Sequence, residues 1–114
     1  MHWTQISDRA AGDVVILDVR GHMTLSDEET SLFRYVCWLM EAGPRRFVLN
    51  LRHVEFIDSV GIGEIVRCYM HVAEQGGSLK LCAVGPRIRD VLVATSLNTV
   101  INMFETEAEA LRSF

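Results

Sequence analysis

The sequence predicts an α/β domain: a mixed sheet, opened by an antiparallel hairpin and continued by parallel strands, with about four helices. Two observations lead there. Short β-rich runs alternate with segments of helical apolar spacing, the order that right-handed crossovers turn into a largely parallel sheet. One run, Phe47-Val48-Leu49-Asn50-Leu51, is apolar almost throughout, as a strand buried on both faces must be.

The elements follow in order. His2 to Ser7 alternates enough to form an edge strand. Asp8-Arg9-Ala10-Ala11-Gly12-Asp13 reads as a polar turn, and Val14 to Val19 as a second strand closed by Gly21. Ser26 and Glu29 fit a capping box opening a first helix, in which each side chain accepts from an otherwise free backbone N–H. Leu32, Phe33, Val36, Leu39 and Met40 continue it at helical spacing, and Gly43-Pro44 ends it. After the strand Phe47 to Leu51, Arg52 to Phe56 carries the chain to a turn. A helical pattern then runs from Val60 to Gln75, with an apolar face of Ile62, Ile65, Val66, Tyr69, Met70 and Ala73. Leu79 to Val84 is a strand. Pro86 sits where a helix accepts proline, at its first position, before an inner face of Ile88, Val91, Leu92 and Thr95. Val100 to Phe104 forms a last strand, and Thr106 with Glu109 caps a terminal helix.

With 114 residues, one domain spanning 1–114 is expected. Hydrophobic residues make up 49%, enough for a core. The net charge of −4 and the lack of any basic cluster beyond Arg45-Arg46 argue against direct nucleic-acid binding. No apolar run approaches the ~20 residues that span a bilayer, so membrane insertion is not expected. Met1 to Ile6 does not resemble a secretory signal. Cys37, Cys68 and Cys82 form no C-x-x-C pair and sit in apolar patterns, as reduced thiols packed like small hydrophobes do. A cytoplasmic location is the resulting expectation.

The junction Ile57-Asp58-Ser59-Val60-Gly61-Ile62-Gly63 concentrates the candidate chemistry. An acid, a hydroxyl and two glycines meet where a strand gives way to a helix, and glycine inside a helix costs about 1 kcal/mol relative to alanine. A catalytic serine finds no support: Ile57 occupies the first glycine position of a nucleophile elbow, and His2, His22, His53 and His71 supply no triad pattern. A dinucleotide loop fails because position 66 is Val66, and no phosphate-binding lysine follows. His22, Asp27, Glu28 and Glu29 are close in sequence, but the three acids read as ordinary first-turn carboxylates that complement the helix dipole rather than as a metal site. Two readings of Ser59 stay open on residue chemistry: an N-cap, or a phosphoacceptor at a helix N-terminus, where added negative charge is tolerated by the fold and felt by a docked partner.

Asp58-Ser59-Val60-Gly61-Ile62-Gly63, following the strand Phe47 to Leu51, resembles the signature of STAS domains. With the hairpin ending at Gly21, the strand Leu79 to Val84 before Gly85 and the tail Met103 to Leu111, the chain is similar to bacterial anti-sigma factor antagonists. The resemblance implies a partner switch rather than an enzyme, with no cofactor of its own. The unphosphorylated protein would bind an anti-sigma factor that is also a serine kinase. Phosphorylation of Ser59 would release it, and a serine phosphatase would restore it. Asp58, Val60, Gly61 and Gly63 would meet the partner, the glycines by permitting close approach, with Met23, Thr24 and Leu25 across from them. Val60 stands where many antagonists carry a second hydroxyl, and Thr24 where they carry an acid. The alternatives are an accessory subunit of an ABC-type lipid transporter and a ligand-sensing STAS module. A homodimer is left open.

Overall fold

A computed structural model describes residues 4–24 and 31–114. Five strands form one sheet in the order β1-β2-β3-β4-β5. β1 (Thr4–Ala11) and β2 (Val14–Met23) pair antiparallel, whereas β2 with β3 (Arg46–Ile57), β3 with β4 (Ser78–Cys82) and β4 with β5 (Met103–Phe104) all run parallel. The mixed sheet is the one the sequence predicts.

The hairpin is tighter than expected. Asp8 to Ala11 belong to β1, and the turn is only Gly12-Asp13, because Ala11 pairs directly with Val14. Gly12 takes φ +64°, a left-handed value that glycine adopts without a Cβ penalty. β2 does not stop at Gly21 but continues to Met23, and β3 carries on through Arg52–Phe56 to Ile57. Two register shifts between β2 and β3 accommodate the extra length.

Alternation along the strands sorts two cores. Leu17, Val19, Phe47, Leu49 and Leu51 face the helices α1 (Leu32–Glu41), α2 (Ser59–Glu74) and α3 (Pro86–Ala94). Val14, Ile16, Val48 and Cys82 face the other way and meet Ala110 of α4 (Glu107–Arg112). The capping box at Ser26 and Glu29 lies outside the described residues. Helix α1 starts at Leu32, with Ser31 as its N-cap accepting from the N–H of Arg34. Glu64 of α2 reinforces that end, accepting from the Ser31 hydroxyl at 3.1 Å and the Phe33 N–H at 3.0 Å.

The buried face of α2 is rotated from the expected one: it holds Gly61, Ile65, Cys68 and Val72, while Met70 is 54% exposed and Ala73 is also exposed. Small groups at 61 and 68 let the helix settle onto the sheet along a line that a count of large apolar residues does not pick out. In α3, Ile88 and Leu92 are buried, but Thr95 is the exposed C-cap. The expected strand Val100–Phe104 shrinks to Met103–Phe104, preceded by a 3-10 turn at Leu97–Thr99. Thr106 caps α4 as predicted, accepting from the Glu109 N–H.

Candidate functional site

The junction between β3 and α2 begins with a buried Ile57, which anchors the strand end, and then reverses into the helix at Asp58. Asp58 holds extended backbone angles, φ −117° and ψ −171°. Its Oδ1 accepts from the N–H of Val60 at 2.9 Å and of Gly61 at 3.1 Å. The cap is therefore Asp58, not Ser59, and Ser59 is the first helical residue. Both residue types suit a cap; the extended backbone at 58 decides between them. The carboxylate also places negative charge where the helix dipole favours it.

Ser59 is exposed, and so is Val60, at 42%. Freed from capping, the Ser59 hydroxyl sits at the rim of the helix where another protein could reach it. The two glycines have different roles. Gly61 is buried against the end of β2, and a Cβ there would stand 2.1 Å from the Met23 carbonyl oxygen and 2.8 Å from Ile57 Cγ1. Its smallness serves the internal packing of α2 rather than the approach of a partner. Gly63 has nothing within 4 Å of a built Cβ, so it faces open space.

Of the residues expected across from the turn, Met23 is buried at 3% exposure. Its side chain contributes to the core instead of showing a partly exposed surface. Its carbonyl still shapes the site, accepting the Asp58 N–H at 3.2 Å. Thr24 is half-buried, and Leu25 lies outside the described residues. The structure thus brings Asp58, Ser59, Val60 and Gly61 together with the backbone of Met23, one turn before Gly63.

An open groove of about 540 Å³ lies at the same end of the sheet, lined by His22, Thr24, Glu55, Phe56 and Arg87. Phe56 is 48% exposed and its ring tilts against His22 at 5.8 Å. The sequence reading did not single out Phe56 or Arg87. An exposed phenylalanine inside a strand looks like core by composition, and the register shift that pairs His22 with Phe56 has no local signature.

Among the described residues no group of three or more His, Cys, Asp or Glu could hold a metal ion. Burial drives the thiol of Cys68 far above its ordinary range and that of Cys82 to about 11, so neither supplies a thiolate nucleophile near neutral pH. No described helix is long and apolar enough to cross a membrane.

Comparison with known proteins fits this geometry. Residues 5–110 match the model of the STAS domain family. A provisionally assigned anti-sigma factor antagonist from Thermotoga neapolitana is 33% identical over 103 residues, covering 87% of this chain and 88% of its own. An anti-sigma factor antagonist from Mycobacterium paratuberculosis shares the fold with a TM-score of 0.81 at 22% identity, over 96% of this chain and 92% of that one. The antagonist SpoIIAA in its unphosphorylated form does so at 0.72 and 19%, over 94% and 93%.

Proposed function

The chain belongs to the STAS domain family, and on that premise we propose that it is an anti-sigma factor antagonist whose docking is switched by phosphorylation of Ser59. Its relatives by sequence are named anti-sigma factor antagonists, the first of them provisionally. The observation that carries the reading is the division of labour at the turn. Asp58 caps the helix, which leaves the neighbouring hydroxyl exposed and without a structural duty.

The same division gives the switch its physical effect. In the kinase reaction the Ser59 oxygen attacks the γ-phosphorus of ATP held by the partner. The new O–P bond replaces the bond to ADP, and the hydroxyl proton passes to a base of the kinase. The product carries about −1.5 to −2 charge. A helix N-terminus normally absorbs such an anion, but here the Val60 and Gly61 N–H groups already serve the Asp58 carboxylate. The dianion would therefore stand outward beside a second negative group, and a partner seated over Ser59, Val60 and Gly63 would have to desolvate both. Loss of docking with an unchanged fold follows, and a serine phosphatase reverses it. The chain acts as a regulatory binding module and not as a catalyst.

The test is to react the purified chain with its cognate anti-sigma kinase and ATP, map the phosphate by mass spectrometry, and measure binding of the Ser59→Asp variant. Phosphate on Ser59 and lost binding are expected. Phosphate on another residue, or full binding by Ser59→Asp, would overturn the reading.

A further inference from the structure

The register shifts between β2 and β3 leave one face of the sheet bare at the end that carries Ser59. On β2, Ile16, Asp18, Arg20 and His22 alternate onto the side of α4. Each shift inserts one residue into β3, so its residues on that side run Val48, Asn50, His53, Phe56 instead of in steps of two. His53 therefore stands opposite Arg20, and Phe56 opposite His22. Among the described residues, Asn50 is the last of β3 to bond α4, through Glu107; beyond it Arg20, His53 and Phe56 are exposed. Arg87, the second residue of α3, closes the groove together with Thr24. The local charge is opposite in sense to the chain's net −4. Asp18 is clasped by Arg9, and Asp58 by N–H groups of its own helix. In and beside the groove this leaves Arg20 and Arg87 against one acid, Glu55.

We propose that this groove is the second part of the docking surface and takes an acidic segment of the anti-sigma partner, with an apolar side chain against Phe56 and carboxylates toward Arg20 and Arg87. This occupancy rests on the docking at Ser59 proposed above, which also selects the occupant. Phe56 is three residues from Ser59, so their Cα atoms are no more than about 11 Å apart. A stable interface covers about 800 Å² on each side, a disc of radius about 16 Å, so a partner centred on Ser59 extends over Phe56. Thr24 is tied to the same turn, because Met23 before it accepts the Asp58 N–H. The partner must then match what it covers. A half-exposed ring offers an apolar anchor point. Two arginines with no ion pair among the described residues are met favourably by carboxylates and at a cost by cations. A phosphate on Ser59 would add its charge beside the partner's own carboxylates, which gives release a direct Coulombic cause.

The test measures the affinity of the full chain for its cognate anti-sigma kinase from about 0.05 to 0.5 M salt. Wild-type affinity should fall as salt rises. Arg87→Glu should weaken binding about tenfold or more and flatten the salt dependence. Its circular dichroism spectrum should be unchanged, because Arg87 is exposed and glutamate suits the first turn of a helix. Arg112→Glu on α4 makes the same change in net charge away from the groove and should bind as the wild type does. Binding by Arg87→Glu as tight as the wild type's, or tighter, overturns the proposal. It would mean that the partner brings cations here, or that Asp27, Glu28 and Glu29 of this chain already serve the arginines. An equal loss in Arg112→Glu overturns it too. If the wild type is phosphorylated on Ser59 and released while Arg87→Glu binds normally, only the role of the groove falls. If the wild type takes no phosphate on Ser59, the switch falls and the groove with it.

Discussion

The backbone of Gly61 lies against the carbonyl of Met23 so closely that a Cβ would stand 2.1 Å from the oxygen. The same carbonyl accepts the Asp58 N–H, so the end of β2 and the start of α2 are fixed to each other through one peptide group. Gly61→Ala must move backbone, and overpacking of that kind costs typically 1–3 kcal/mol. Gly63→Ala meets nothing and replaces glycine within a helix, which should stabilise by about 1 kcal/mol. Urea denaturation of the two variants checks the pair. If Gly63 also admits a partner, Gly63→Ala will be the more stable protein and the poorer binder.

Capping falls to Asp58 and the switch proposed above to its neighbour Ser59, so the two separate by mutation. Asp58→Ala leaves two helix N–H groups without their acceptor and should cost about 1 kcal/mol. Asp58→Asn keeps an acceptor in place and should cost less. Ser59→Ala, at an exposed first helical position, should change stability by no more than roughly 0.5 kcal/mol. Equal losses for Asp58→Ala and Ser59→Ala in thermal unfolding would show that the hydroxyl shares the cap after all.

These pairs also show where the sequence stops speaking. The strands around Leu17, Leu49 and Leu81 are legible because each must bury apolar side chains, and nothing else in the chain competes for them. Asp58-Ser59 offers two good caps in succession, and only the backbone angles choose. Gly61 and Cys68 mark the true inner line of α2, but small residues carry little hydrophobic signal, so the larger Met70 draws the expected face aside. The role of Gly61 is invisible until Met23 is known to end beneath it. Long-range contacts of that sort have no local trace.

Acid should loosen the hairpin from α4. Arg9 donates to Asp18 at 2.7 Å through Nε and to Glu107 at 3.0 Å through Nη1, while Asn50 adds a bond to Glu107 at 3.2 Å. The hydrogen bonds from Arg9 hold both carboxyls below their ordinary range. A carboxyl depressed in the folded state stabilises the fold above its unfolded pKa, near pH 4, and loses that contribution as pH falls through the lower folded value. Arg9 is 48% exposed, so solvent and salt screen much of the effect, and a total of about 1 kcal/mol is expected. Arg9→Met should flatten the fall in melting temperature below pH 4, and added salt should flatten it in the wild type. An identical acid profile with and without Arg9 would assign the acid sensitivity elsewhere.

Helix α4 has six residues, far fewer than the ~12 an isolated helix needs in water, so tertiary contacts must hold it. One of those contacts is Lys80, the chain's single lysine, buried in β4 at 8% exposure. Its Nζ donates to the Ser113 carbonyl at 2.8 Å and hydroxyl at 2.7 Å, and it lies 4.2 Å from the centre of the Phe114 ring. Lys80→Met keeps the apolar stem against the sheet and removes the charge. It should cost about 1–2 kcal/mol, from two hydrogen bonds and the cation–π contacts with Phe114 and, at 5.8 Å, Phe104. The loss should also be local. Amide exchange should accelerate at Ala110 and Ser113, which rely on helical bonds in α4, and stay unchanged at Ile65 and Val72 in the opposite core. Uniform acceleration across both sets would instead mean that Lys80 supports the whole sheet, and that α4 opens only when the rest of the fold does.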